Sequence, residues 1–172
     1  MNLLHDIDPG TKEEVNVVIE IPKGSHNKYE IDKKTGIIKL DRVMHSAQDY
    51  PFDYGFVPQT LWDDGDALDV VVLTTYPLAP GILVPVRIIG IMHMIDGGEA
   101  DEKVIAVAVG DPRYSEVRDI TDANQHMLKE IAHFFATYKQ IQKKEVTVGD
   151  FEGRVTAEVA YERARKLYVD SK

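Results

Sequence analysis

Residues 63–69 read Asp63-Asp64-Gly65-Asp66-Ala67-Leu68-Asp69, and the apolar run Val70-Val71-Val72-Leu73 follows directly. This acidic turn (residues 63–69) places four carboxylates beside a segment that must be buried. At an effective dielectric near 20, each pair of neighbouring carboxylates costs roughly 2–3 kcal/mol, and a loop tied to a core strand cannot lie wholly in screening water. Protonation or a divalent cation would relieve the repulsion, and all-oxygen ligands favour Mg²⁺, Mn²⁺ or Ca²⁺. The stretch therefore predicts a buried strand with a hard-cation site at its start.

The acidic turn also has a simpler interpretation. Asp64-Gly65 alone is typical of an ordinary β-turn, because Gly accepts positive φ and Asp caps its own backbone. An EF-hand loop is excluded more firmly. Counted from Asp64, the fifth position is Leu68 and the twelfth is Thr75, where a calcium loop needs an oxygen ligand and a bidentate Glu.

The composition describes an acidic globular chain. Its 172 residues suit one domain spanning residues 1–172. The net charge of −9 argues against a protein that binds the phosphate backbone of nucleic acid. The chain has no cysteine, so disulfides and thiolate metal sites are excluded. No signal peptide is indicated, and the longest apolar stretch is interrupted by Pro85, Arg87, Gly90 and His93. We therefore expect a cytoplasmic protein without a membrane partner.

Hydrophobic alternation predicts strands at residues 15–21, 28–32, 37–43, 68–74, 82–95 and 103–109. In the first strand, Val15, Val17, Ile19 and Ile21 are expected on one face. Residues 49–58 contain two prolines and are predicted to be an edge or irregular segment. A second acidic turn (residues 96–103) separates the last two strands.

The C-terminal third of the chain changes to a helical period. Asp122 with Gln125 three residues later suits a capping box, and a helix is predicted from there to about Lys143. Gly149 and Gly153 indicate a turn, and a second helix is predicted over residues 154–168. Short strands followed by two helices predict an α+β domain, most simply a small closed, OB-like β-barrel of five strands with two flanking α-helices.

Two kinds of polar side chain accompany this pattern. Five carboxylates of the two acidic turns could surround hard cations at a barrel mouth: Asp64, Asp66, Asp69, Asp96 and Asp101. Near them in the pattern are Glu20, Lys28, Glu30, Arg42, Tyr54, Lys103, Tyr138 and Lys139. Carboxylates bind Mg²⁺, whereas Lys, Arg and Tyr bind phosphate oxygens. Together they predict a site for a metal-bound, highly anionic small phosphate.

Six segments, in order, carry a resemblance that covers nearly the whole chain. They are residues 20–25 with Lys28-Tyr29-Glu30, Leu40-Asp41-Arg42, residues 50–56, Asp64-Gly65-Asp66-Ala67-Leu68-Asp69-Val70, residues 96–103, and residues 133–139. The chain resembles a family I soluble inorganic pyrophosphatase of the short prokaryotic type. The resemblance implies a five-stranded barrel with flanking helices, Mg²⁺-dependent hydrolysis of pyrophosphate to two orthophosphates, several ions per site, and a homohexamer.

The resemblance also implies a role for each residue. Asp64, Asp69 and Asp101 would hold two ions that activate a bridging water as the nucleophile, and Asp66 would be the general base. Asp96 and Asp101 would bind a further ion, with Glu20 and Glu30 in the metal network. Lys28, Arg42, Lys103, Tyr138 and Lys139 would bind phosphate, with Tyr54 close to the nucleophile. The chain departs from the family pattern at Ala67, commonly Pro, and at Phe151, commonly Trp.

Other interpretations stay open at this point. Taken singly, each charged residue is most simply a solvated surface residue. A non-catalytic metal- or oligonucleotide-binding barrel is the alternative from another class, although the acidic charge opposes it. A nucleotide pyrophosphohydrolase is the third, although no phosphate-binding Gly-rich loop ending in Gly-Lys-Ser/Thr is present. The histidines are not expected to bind metal, and the helix face with His126 and His133 is a candidate subunit contact.

Overall fold

The computed structural model describes residues 1–172, which form nine strands, two α-helices and two short 3-10 helices. The strands are β1 (Val15–Ile21), β2 (Asn27–Ile31), β3 (Ile38–Val43), β4 (Asp53–Phe56), β5 (Asp69–Leu73), β6 (Leu83–Asp96), β7 (Glu99–Ala100), β8 (Lys103–Ala108) and β9 (Val146–Gly153). The helices are α1 (Gln125–Thr137) and α2 (Arg154–Asp170), and the 3-10 turns are Pro112–Tyr114 and Ile120–Asp122. Neither α-helix combines the length and apolar character that a membrane span requires.

Seven of the strands form one mixed sheet in the order β1-β4-β5-β8-β6-β7. Strand β9 pairs with β6, and β1 pairs with β6 as well as with β4. All pairings in this sheet are antiparallel except β5 with β8. Strands β2 and β3 form a separate antiparallel hairpin. The predicted α+β class with two helices is confirmed. The sheet contains β1, β4, β5, β8 and β6, and β7 and β9 extend it along β6 to seven strands.

The two faces of the sheet bury different clusters, as the two-residue period of a strand requires. On β5, Val70 and Val72 belong to the cluster that contains the alanines of α2, whereas Val71 and Leu73 belong to the cluster that contains α1. A bulge between Ile19 and Ile21 breaks the period of β1. As a result, Ile21 packs in the α1 cluster and not with the other three predicted residues of its face.

The prediction of an edge or irregular segment at residues 49–58 is wrong. Within it, β4 pairs with β1 on one side and β5 on the other, and all four of its residues are buried. Pro51 and Pro58 flank the strand instead of lying within it, so no ladder hydrogen bond is lost. Gly55 permits the close approach of β1, since a Cβ there would lie 2.0 Å from the carbonyl oxygen of Val18.

The C-terminal predictions also need correction. Helix α1 is capped by Asn124, whose Oδ1 accepts from the backbone N–H groups of His126 and Met127. Asp122 instead forms a capping box with Asp119 around a 3-10 turn. Helix α1 ends at Thr137, six residues before the predicted Lys143, and the predicted turn at Gly149 and Gly153 is strand β9. Helix α2 starts at the predicted residue and continues to Asp170.

Candidate active site

One cavity of about 410 Å³ is lined by all thirteen residues predicted for the site. Glu20 lies on β1, Lys28 and Glu30 on β2, Arg42 on β3 and Tyr54 on β4. The remaining eight are Asp64 and Asp66 in the acidic turn, Asp69 at the start of β5, Asp96 at the end of β6, Asp101 and Lys103 at the start of β8, and Tyr138 with Lys139 after α1. The structure therefore brings together residues separated by more than a hundred positions in sequence.

Sheet topology explains why both acidic turns reach the same cavity. Strands β5 and β8 are parallel neighbours, so their first residues lie at the same edge of the sheet. Strand β6 is antiparallel to β8, so its last residue, Asp96, also lies at that edge. The β2–β3 hairpin contributes Lys28, Glu30 and Arg42 to the lining of the cavity. The site is thus built where one edge of the sheet meets the hairpin.

Lys103 is a buried cation between two of these carboxylates. Its side chain is only 2% exposed, and its Nζ donates to Asp69 Oδ2 at 2.6 Å and to Asp101 Oδ1. Burial alone would lower the pKa of Lys103, but the Asp69 and Asp101 carboxylates outweigh burial and raise that pKa. Its Nζ also lies 5.7 Å from the ring centroids of Tyr54 and Phe135. Lys103 therefore stays charged and fixes one wall of the cavity.

Negative charge exceeds positive charge in the cavity, because its lining includes eight carboxylates and five cationic side chains. Burial, together with the Asp69 charge, raises the pKa of Glu20 to about 8. Burial is also the main cause that raises the pKa of Asp101 to about 7, opposed by Lys103 and assisted by Asp69. The pKa of half-buried Asp64 is raised by burial and by Asp69 and Asp66. The lysines and the arginine therefore neutralise only part of the electrostatic repulsion among the carboxylates.

The cationic and phenolic groups on the other walls contact carboxylates. Lys28 contacts Glu30 and lies 3.6 Å from Asp41, which also accepts from Arg42 Nη1 at 2.9 Å. At the end of α1, Lys139 contacts Asp96, and the Tyr138 hydroxyl lies 3.4 Å from Asp96 Oδ2. Burial, with Asp96 and Asp101 nearby, raises the pKa of Tyr138. Burial, followed by the Asp69 charge, raises the pKa of Tyr54. Both phenols therefore remain protonated hydrogen-bond donors.

The donor set fits hard divalent cations. No three acidic, histidine or cysteine side chains are grouped closely enough to hold one ion together, and Asp66, Asp96 and Asp101 each contact a lysine. The donors are nevertheless all oxygen, and several come from neighbouring loops. Burial and neighbouring carboxylates raise the pKa values of Glu20, Asp64 and Asp101. Oxygen ligands with unrelieved negative charge suit Mg²⁺ or Mn²⁺ rather than a soft metal.

Several lining residues were not predicted. Lys33, in the β2–β3 turn, contacts Asp66 and donates to the carbonyl oxygen of Gly65 at 3.3 Å. Tyr50 and Glu99 also line the cavity, and Asp41 contacts two cations from outside it. Tyr50, Glu99 and Asp41 lie inside the segments that carry the family resemblance, and those segments were the available signal. Lys33 follows no spacing that would single it out.

The two departures from the family pattern are packing positions. Ala67 packs against the small cluster of Leu4, Val18 and Phe56. Phe151, on β9, packs against the cluster that contains α1. Neither side chain contributes a polar group to the site.

Comparison with known proteins agrees with these features. The family model described as inorganic pyrophosphatase matches residues 17–169. The inorganic pyrophosphatase of Geobacillus stearothermophilus is 54% identical over 139 residues, which cover 81% of this chain and 84% of that protein. Soluble inorganic pyrophosphatase 1 of Arabidopsis thaliana is 48% identical, covering 96% and 79%. The crystal structure of inorganic pyrophosphatase from Thermus thermophilus matches with a TM-score of 0.93 and 45% identity, covering 98% and 99%. The chain therefore belongs to the inorganic pyrophosphatase family, which confirms the family and the pyrophosphate-hydrolysing class of enzyme predicted from its motifs.

Proposed function

We propose that the chain hydrolyses inorganic pyrophosphate to two orthophosphates in this cavity, with Mg²⁺ as its natural cofactor. One observation carries the proposal: in a chain of this family, thirteen residues from separate elements line a single cavity with lysine, arginine and tyrosine donors and with carboxylates. Its volume of about 410 Å³ is in the range of small-molecule sites. Pyrophosphate, which is small and highly anionic, matches that mixture.

Asp64, Asp69, Asp96 and Asp101 are the residues proposed to hold several Mg²⁺ ions, with Glu20 and Glu30 supporting them. When bound, divalent cations supply Lewis-acid activation of water and neutralise phosphate oxygens. Mn²⁺ is the expected substitute because it accepts the same oxygen ligands. Asp69 is central to this arrangement, because it touches Lys103 and its charge acts on the pKa values of Glu20, Asp64 and Asp101.

Asp66 is the proposed general base. Its carboxylate is 55% exposed and lines the cavity, so water and protons reach it. Its backbone N–H donates to Asp64 Oδ1 at 3.0 Å, which fixes the base beside a proposed cation ligand. A base held there can accept a proton from the attacking water, and Asp64, Asp69 and Asp101 would hold the cations beside it. Tyr54 is buried next to Asp69 and is proposed to lie near the attacking water.

Five donors are proposed to bind the phosphate oxygens: Lys28, Arg42, Lys103, Tyr138 and Lys139. In the structure, each of the four positively charged side chains contacts a carboxylate. Binding of divalent cations to Glu30, Asp69 and Asp96 would free Lys28, Lys103 and Lys139 for the substrate. Divalent cations and substrate are therefore expected to bind cooperatively. Positive groups around the departing phosphate stabilise the charge that develops during phosphoryl transfer.

We also propose the finer structural predictions. The pairing of β1 with both β4 and β6 supports a closed five-stranded barrel of β1, β4, β5, β8 and β6. A homo-oligomer, a hexamer by resemblance, is supported by exposed apolar residues such as Val155 and Val159 on α2. The exposed side of α1, with His126 and His133, is the other proposed contact. One domain over residues 1–172 and a cytoplasmic location stay predictions.

A phosphate-release assay tests the proposed function. The chain is incubated with pyrophosphate, with ATP or without substrate, in the presence of Mg²⁺ or of EDTA. We expect phosphate release only with pyrophosphate and Mg²⁺. Comparable turnover of ATP with Mg²⁺ would favour a nucleotide pyrophosphohydrolase, and inactivity in every arm would favour the non-catalytic binding barrel.

A further inference from the structure

Trp62, the only tryptophan of the chain, contacts both acidic turns (residues 63–69 and 96–103) but does not line the cavity. Its side chain is 8% exposed, and its indole Nε1–H donates to Glu102 Oε2 at 2.8 Å. Glu102 does not line the cavity either. The hydrogen bond therefore joins two residues that the proposed mechanism does not use.

The backbone of Trp62, directly before the acidic turn, is hydrogen-bonded to it. Its N–H donates to the carbonyl oxygen of Asp66 at 2.7 Å, and its carbonyl oxygen accepts from the N–H of Gly65 at 3.0 Å. These two bonds close the turn that carries Asp64 and Asp66. A displacement of the indole is thus transmitted to the turn through short, local bonds.

Glu102 lies between Asp101 and Lys103 in the second acidic turn. A hydrogen bond to its carboxylate therefore holds the segment that carries Asp101. Its second oxygen, Oε1, lies 3.6 Å from His93 Nδ1 on β6, and its side chain is 19% exposed. The Trp62–Glu102 hydrogen bond is therefore a direct side-chain link between the acidic turn and the segment of Asp101.

The indole has little freedom to move. It packs in the core cluster that contains the alanines of α2. The guanidinium of Arg163, on α2, lies 4.6 Å from the ring centroid and contacts Asp63 Oδ1 at 2.5 Å. A buried donor of this kind is costly to leave without its acceptor. The link consequently has a fixed length, set by the core on one side and by helix α2 on the other.

We propose that Trp62 and Glu102 are a positioning pair that sets the spacing between Asp64 and Asp66 on one segment and Asp101 on the other. This inference rests on the proposed function, since the spacing matters only if these carboxylates share cations. Residues that orient cation ligands without touching the cation commonly change its affinity about 10–100-fold when mutated. The pair is expected to act on cation affinity far more than on the chemical step.

Four variants separate this role from general stability. Trp62→Phe removes the N–H and keeps an aromatic ring, and Glu102→Ala removes the acceptor and keeps the tryptophan. Glu102→Gln removes the charge but keeps a carbonyl acceptor, so its difference from Glu102→Ala isolates the hydrogen bond. Tyr161→Phe is the matched control, because the Tyr161 hydroxyl donates to the Gly10 carbonyl oxygen at 2.8 Å in the same core cluster, away from the cavity.

Mg²⁺ binding is measured by calorimetry, with the Tm, kcat and the Mg²⁺ dependence of hydrolysis for each protein. We expect about tenfold weaker Mg²⁺ binding in Trp62→Phe and Glu102→Ala, with kcat at saturating Mg²⁺ little changed. Glu102→Gln should bind several-fold more tightly than Glu102→Ala. Tyr161→Phe should have a lower Tm than the wild type but the same Mg²⁺ affinity. Both Glu102 variants retain Trp62, so the fluorescence of its indole can be compared. Glu102→Ala should change the emission of Trp62, and Glu102→Gln should change it less.

The outcomes distinguish the two proposals. Failure of the wild-type chain to bind Mg²⁺ would overturn the proposed cation site itself. Normal Mg²⁺ binding by the wild type, with equal affinity in Trp62→Phe and Glu102→Ala, would overturn the positioning pair alone. An equal loss of affinity in Tyr161→Phe would also overturn it, because the effect would then follow stability. Should Trp62→Phe not fold, the comparison of Glu102→Ala with Glu102→Gln decides the matter.

Discussion

Carboxylates are buried in two regions of this molecule, and the fold treats them in opposite ways. Asp53, at the start of β4, is fully buried. Its Oδ1 accepts from the backbone N–H groups of Lys23 and Leu78, each at 2.9 Å, and its Oδ2 accepts from the Thr74 hydroxyl. In the cavity, by contrast, Glu20 accepts from the N–H of Ile31 at 2.7 Å, and Asp101 accepts from Lys103.

The difference shows how a buried carboxylate can be assigned a role. Around Asp53 the chain itself provides the donors, and the residue joins loops on both sides of β4. Around the cavity several carboxylates face each other, and burial raises the pKa of Glu20 to about 8 and of Asp101 to about 7. The Asp53 carboxylate is stabilised by hydrogen-bond donors of the fold itself. The cavity carboxylates need protons or cations from solution to relieve their repulsion. Four experiments can break or sharpen that contrast.

Removal of divalent ions should have the largest effect. Cations supply several kcal/mol of transition-state stabilisation, and a factor of ten in rate corresponds to about 1.36 kcal/mol. We therefore expect EDTA to lower pyrophosphate hydrolysis by about a thousandfold or more, and added Mg²⁺ to restore it. Full activity in EDTA would show that the cavity carboxylates are balanced without cations.

Asp66→Asn should rank second. The amide cannot accept the proton from water, so kcat should fall by at least about a hundredfold, the low end for a positioned base. The residue is 55% exposed, so circular dichroism and Tm should match the wild type. An Asp66→Asn protein that turns over at the wild-type rate would remove Asp66 from the role of base.

Asp53→Asn should affect stability and not chemistry. The amide NH₂ would face groups that now donate to the carboxylate, and the loss of charge-assisted hydrogen bonds should cost about 2–3 kcal/mol. Denaturant unfolding measures this loss. The kcat of the folded fraction should stay unchanged, and a selective loss of kcat would erase the distinction between the two regions.

The fourth experiment measures how the unfolding free energy of the cation-free protein depends on pH. The folded pKa of Glu20, about 8, lies above its usual value of 4.5, so the folded state binds more protons than the unfolded state between those pH values. Stability should therefore be full below about pH 4.5 and decrease as the pH rises toward 8, by at most about 4–5 kcal/mol for a pKa shift of this size.

Glu20→Gln provides the control for that measurement. The variant cannot ionise at this position, so its unfolding free energy in EDTA should change less than that of the wild type across the same pH range. Parallel pH profiles for the two proteins would assign the effect to other groups.

The sequence predicted which residues line the cavity better than it predicted the connections of the sheet. The bounds of β1 and the first residues of α2 follow from local periodicity and are accurate. Strand β4 was misjudged because its prolines lie just outside it, and β9 because a strand along β6 is a long-range pairing that Gly149 and Gly153 obscure. The thirteen cavity residues were identified because motif order reports on the whole family pattern. Lys33 and the Trp62–Glu102 bond depend on tertiary contacts, which no local pattern encodes.

The most direct test of a shared cation site is a crystal structure grown or soaked with Mn²⁺, with an anomalous difference map calculated at a wavelength where manganese scatters anomalously. We predict at least two peaks inside the cavity, with Asp69 and Asp101 in contact with manganese and Lys103 no longer paired to both. A map with no peak in the cavity, at a Mn²⁺ concentration that supports hydrolysis, would contradict the claim that the two acidic segments converge on cations.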